Sequence, residues 1–105
     1  MKKYSNKENV AIVTLAIESL GVYCKTQAYK EYGLEDKPEN FNITIRNRTA
    51  ELMNEAKSEG VYDKLVEATI FIIENELLID NFTLIDFIKS GKPLAGLRNT
   101  AAKLN

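Results

Sequence analysis

The sequence predicts a mainly α fold, a small helical domain of four to five helices with at most one short strand at about residues 41–46. Three observations carry this. Apolar residues recur at three-and-four spacing through most of the chain, the period of a helix with one face in a core. Cap-like sequences and glycine stops punctuate those stretches at Ser5, Gly33, Gly60, Thr83 and Gly91. Only Phe41, Ile43 and Ile45 alternate with polar neighbours (Asn42, Thr44, Arg46) in the manner of a strand.

Taken in order, residues 1–4 read as a tail before Ser5-Asn6-Lys7-Glu8. In that capping box the serine hydroxyl and the glutamate carboxylate each satisfy a backbone donor left open by the helix start. Val10, Val13, Ile17, Leu20 and Cys24 follow at alternating three and four spacing, which predicts one core-facing stripe. Gly21 is a candidate break, Lys25–Tyr32 is still helix-compatible, and Gly33 is a natural stop.

Leu34–Asn40 is polar and contains Pro38, so it reads as a loop. After the short strand, a helix from about Arg48 to Ser58 gathers Leu52, Met53 and Ala56, and Gly60 closes it. The next helix, from Asp63 to about Asp80, is apolar over most of its circumference and reads as the buried heart of the fold. Asn75 and Glu76 fall on its apolar side, so it is expected to bend or end near Glu74. Thr83-Leu84-Ile85-Asp86 opens a short helix with Leu84, Phe87 and Ile88 inside, and Ser90-Gly91-Lys92-Pro93 ends it. Leu94, Leu97, Ala101 and Leu104 form the last stripe.

At 105 residues the chain is one domain. Hydrophobic content of 45% and charged content of 28% suit a globular protein. Fourteen basic against fifteen acidic residues give no global attraction to nucleic acid or to an anionic membrane. The charge is nevertheless uneven. Residues 63–86 are acidic, with Lys64 alone in opposition, and a basic stretch of Lys89, Lys92, Arg98 and Lys103 follows. Cys24 is the only cysteine, which excludes an intramolecular disulfide, and its place in an apolar stripe reads as a buried thiol. No stretch has the pattern of a secretory signal or the length of a membrane span, so the expectation is cytoplasmic, with no membrane partner.

Catalytic equipment is sparse. The absence of histidine removes the side chain best suited to proton transfer near neutral pH and the commonest zinc ligand. There is no phosphate-binding glycine loop and no nucleophile elbow. Asp63, Glu67 and Glu74 lie on one helical strip, where a solvated face is the expected reading rather than a cation site. The expectation is a protein with no enzymatic activity, no cofactor and no metal.

Residues 41–79 resemble the ribbon-helix-helix family: a strand with outward polar residues, a helix, a glycine-containing turn and a second apolar helix. The resemblance implies a dimer whose paired strands enter the DNA major groove, with Asn42, Thr44 and Arg46 facing the bases. A second overlay, Val10–Leu20, Lys25–Tyr32 and Arg48–Ser58, looks like the three helices of a winged helix-turn-helix. It implies a recognition helix presenting Arg46, Arg48 and Thr49. The alternative role for Arg46 and Arg48 is surface pairing with Glu51 and Glu55. Tyr23, Tyr29, Tyr32 and Tyr62 offer stacking faces or flank a core.

Two functions follow as expectations. One is a small dimeric DNA-binding regulator using Asn42, Thr44, Arg46, Arg48 and Thr49, with double-stranded DNA as partner and the residue 63–80 helix joining the subunits. The other is a non-enzymatic protein-binding module, such as a phage or mobile-element inhibitor, immunity or adaptor protein, whose acidic middle meets a basic partner.

Overall fold

The computed structural model describes residues 3–32 and 39–103. In chain order it contains α1 (Asn6–Tyr32), α2 (Phe41–Ser58), α3 (Val61–Glu74), β1 (Leu77–Leu78), α4 (Asn81–Lys89), a single 3-10 turn (Leu94–Gly96), α5 (Leu97–Thr100) and β2 (Ala102–Lys103). The mainly α class with five helices is as the sequence predicts. Gly33, most of the Leu34–Asn40 loop and Leu104 lie outside the described residues.

α1 is the spine. Its start is the expected capping box: the Glu8 amide donates to Ser5 Oγ at 3.1 Å and the Ser5 amide donates to Glu8 Oε1 at 3.0 Å. Gly21 does not interrupt it, and 27 residues run without a break. One glycine costs a long helix only about 1 kcal/mol against alanine, which packing on its neighbours outweighs.

The rotation of α1 corrects the sequence reading. Its core face is Ile12, Ala16, Leu20, Tyr23, Cys24 and Ala28, whereas Val10, Val13 and Ile17 are 66%, 39% and 41% exposed. The expected stripe is therefore buried only in its later half, at Leu20 and Cys24. The cause is how the rest of the chain is laid along α1. α2 covers the C-terminal half: Phe41 stacks near Tyr29 with ring centroids 5.6 Å apart, and Leu52 and Ala56 sit against Leu20 and Cys24. α3 then runs toward the start of α1, where the Tyr4 hydroxyl donates to Glu74 Oε1 at 2.7 Å. α4 closes a third side, with Ser19 Oγ donating to Asn81 Oδ1 at 3.1 Å and the Tyr23 hydroxyl donating to Asp86 Oδ1 at 2.8 Å.

The short strand at 41–46 is also corrected. These residues are the first turns of α2. Phe41 and Ile45 alternate with polar residues, yet they also stand four apart, and Ile45 is buried against α1 while Ile43 is 57% exposed. The tertiary cover offered by α1 decides between the two periods. The described strands lie elsewhere: β1 and β2 pair antiparallel, Leu77 with Lys103 and Leu78 with Ala102.

α3 ends at Glu74, as the misplaced Asn75 and Glu76 predict, and the chain leaves through Glu76 with a left-handed φ of 51°. It is less buried than its composition suggests. Leu65 and Ala68 are fully inside, Ile70, Phe71 and Ile72 are half-buried, and Ile73 is exposed. α4 holds Leu84, Phe87 and Ile88 in the core as expected, together with Ile85. Its cap is Asp80 rather than Thr83. The carboxylate accepts from the Thr83 amide at 2.9 Å and from Thr83 Oγ1 at 2.7 Å, and these bonds hold it below the usual aspartate range.

Burial, followed by the bond to Asp86, pushes the Tyr23 phenol up from its ordinary value of 10.0 to about 12. A raised folded-state value means the neutral phenol contributes stability that is intact below pH 10 and lost as pH rises through about 12. Tyr4, raised by its bond to Glu74, acts in the same direction. The expected result is an alkaline fall in the urea midpoint above pH 10 that is reduced in Tyr23→Phe and steepest in the wild type.

Candidate functional site

The structure divides the sequence-predicted residues between two flanks of α2. Asn42, Arg46 and Thr49 come together on one flank, where they line a shallow depression between α1 and α2 with Lys25, Tyr29 and Ile45. Lys25 and Arg46 make it cationic, and no acid lines it. Arg46 is exposed, and among the described residues every ion pair runs instead to Arg48. Thr49 is committed to its own helix, donating from Oγ1 to the Ile45 carbonyl at 2.7 Å, so it offers the depression acceptor capacity only. Sequence reasoning singled out Tyr29 as a stacking face but passed over Lys25, which lies on a different helix.

Arg48 and Thr44 are on the other flank, away from that depression. Arg48 grips Glu31 with both prongs, Nε donating to Oε2 at 2.7 Å and Nη2 donating to Oε1 at 3.0 Å. Its Nη1 donates to Glu51 Oε2 at 3.0 Å and stands 3.8 Å from Glu55. Bidentate geometry of this kind is the strong form of the arginine–carboxylate pair. It holds the Glu31 carboxyl below its usual range and the guanidinium more firmly protonated. Three acids surround this one cation, so Arg48 serves the junction of α1 and α2 as a structural tie. The pairing with Glu51 and Glu55 is legible from their spacing, whereas Glu31 comes from across the loop.

The acidic middle is partly spent inside the molecule. Asp80 caps α4, Asp86 accepts from Tyr23 and Glu74 accepts from Tyr4. Two of the later basic residues meet rings and an amide: Lys89 lies 4.7 Å from the Tyr23 ring centroid, and Arg98 lies 5.3 Å from that of Phe71 while donating to Asn75 Oδ1. Asp63, Glu67 and Glu74 do not converge, and no group of three metal-ligating side chains occurs among the described residues. Cys24 is buried, and burial pushes its thiol up, the unreactive direction.

A second surface was hidden in the misread stripe. Val10, Val13 and Ile17 form an outward apolar row on the N-terminal half of α1, beyond the reach of α2. Thr14 beside them bonds its hydroxyl back to the Val10 carbonyl at 2.7 Å, which turns its polar group away from any partner. A methyl added at Gly21 would meet nothing within 4 Å, so the row ends in open space. Leu15 and Val22, 50% and 49% exposed, lie on the opposite side of α1 and do not extend the row. No helix is long and apolar enough to cross a membrane among the described residues. No family model, curated protein or solved structure matches this chain.

Proposed function

We propose that this chain is a non-enzymatic protein-binding module that receives an apolar helical segment of another protein chain along the N-terminal half of α1. The observation that carries the reading is the outward row Val10, Val13 and Ile17. Single exposed apolar residues are ordinary on a protein surface, but a contiguous row marks an interaction site. Its three-and-four spacing is the seam that a partner helix packs into. The test is affinity capture with the wild type and with Val13→Asp/Ile17→Asp, after circular dichroism has shown both to be folded. A protein recovered by the wild type and lost from the variant supports the reading; equal recovery by both overturns it.

The depression holding Lys25, Tyr29, Asn42 and Arg46 favours a second reading, a DNA-binding regulator, because two cations beside an amide and an aromatic face suit phosphate and base contacts. That reading no longer draws on either resemblance. The ribbon is helical, and the first two helices of the winged overlay are one continuous α1. Wild-type retention on random duplex DNA at low salt, lost in Arg46→Ala, would move the assignment to DNA.

A further inference from the structure

We propose that the chain seated on α1 is a second copy of this protein, with the two N-terminal halves of α1 packed antiparallel about a two-fold axis near Val13. The inference rests on the protein-binding reading of the same row and identifies its occupant from charge. Lys7 and Glu18 stand eleven positions apart, and at about 100° per residue both project from one flank of the row. Both are exposed, and neither takes part in an ion pair among the described residues. Lys7 lies just before the apolar row, and Glu18 just after it.

An antiparallel partner related by a two-fold axis presents the same flank in reverse order. Lys7 of each copy then faces Glu18 of the other, giving two equivalent pairs that bracket the seam. The midpoint between Lys7 and Glu18 falls within about one residue of the midpoint between Val10 and Ile17, so a single axis satisfies the charges and the apolar row together. A parallel pair would hold lysine and glutamate at opposite ends and leave both unmatched.

This places the dimer contact on α1 rather than on α3, whose Leu65 and Ala68 are already enclosed by the fold. The core of the protomer is complete without the partner, so the interface can be broken without unfolding the chain.

Sedimentation equilibrium of the full chain across micromolar concentrations tests the pairing. The wild type is expected to be dimeric and Val13→Asp/Ile17→Asp monomeric with unchanged helix content. Lys7→Glu should weaken association about tenfold, since two symmetric pairs turn repulsive at once, and adding Glu18→Lys should restore it. These two positions are exposed, so that double exchange remains informative whatever the aspartate variants do. A monomeric wild type, or a dimer indifferent to Lys7→Glu, or a Lys7→Glu defect that Glu18→Lys leaves in place, overturns the self-pairing. A monomeric wild type that still captures another protein through Val13 and Ile17 separates this failure from failure of the protein-binding reading.

Discussion

Leu65→Ala is expected to lower the stability of the protein by about 2–5 kcal/mol, the range for truncating a leucine in a closed core. Leu65 has no exposed surface and is among the four largest fully buried side chains, with Leu20, Ile85 and Leu97. It belongs to the core cluster that α1, α2, α3 and α4 build together, so removing its branched end leaves a cavity that these helices would have to move to fill. A domain of this size holds a total of about 5–15 kcal/mol, and the variant should retain a fraction of that. Urea melts read the loss as a lower midpoint with an unchanged slope. Half-buried Val66, the next residue along, provides the contrast: Val66→Ala should cost distinctly less. Equal effects at the two positions would show that α3 does not present the face described above.

The second large effect is a reversal of sign between two identical substitutions. Gly60 links α2 to α3 with φ at 81°, and its carbonyl accepts from the Lys64 amide at 3.1 Å to begin the new helix. A side chain at Gly60 meets no atom within 4 Å, so Gly60→Ala is opposed by the backbone alone. Left-handed conformation costs a residue with a β-carbon about 1–2 kcal/mol. Gly21 lies in the middle of α1 with equally open surroundings and ordinary helical φ, so Gly21→Ala should stabilise by about 0.5–1 kcal/mol. Thermal melts of the two variants therefore move in opposite directions. Two shifts of one sign would mean that the α2–α3 turn is not left-handed at Gly60.

Much of the architecture is legible in the residues. The Ser5–Glu8 box, the end of α3 at Glu74 and the inward face of α4 follow from local chemistry and period, because each is settled within one or two helical turns. The failures share a cause. The rotation of α1 and the state of 41–46 depend on what lies opposite, and each stretch satisfies two patterns at once. α1 is apolar on nearly every side, so the Val10–Cys24 spacing and the Ile12–Tyr23 spacing are both present. Phe41, Ile43 and Ile45 fit a strand, and Phe41, Ile45, Leu52 and Ala56 fit a helix. The candidate site was half legible for the same reason. Asn42, Arg46 and Thr49 share a flank because of their own helical spacing, while Lys25 and Glu31, which assign opposite roles to Arg46 and Arg48, come from another helix.

The polar bonds from α1 to its neighbours have a consequence for how this fold stays unique. A rod that is oily almost all the way round has little preference for how it rolls, because grease will meet grease at many settings. Ser19 with Asn81, Tyr23 with Asp86 and Glu31 with Arg48 are keyed to one setting, since a roll of even a quarter turn would part all three. Singularity of the native state thus comes from a few hydrophilic keys. The oil supplies cohesion and leaves the choice to them.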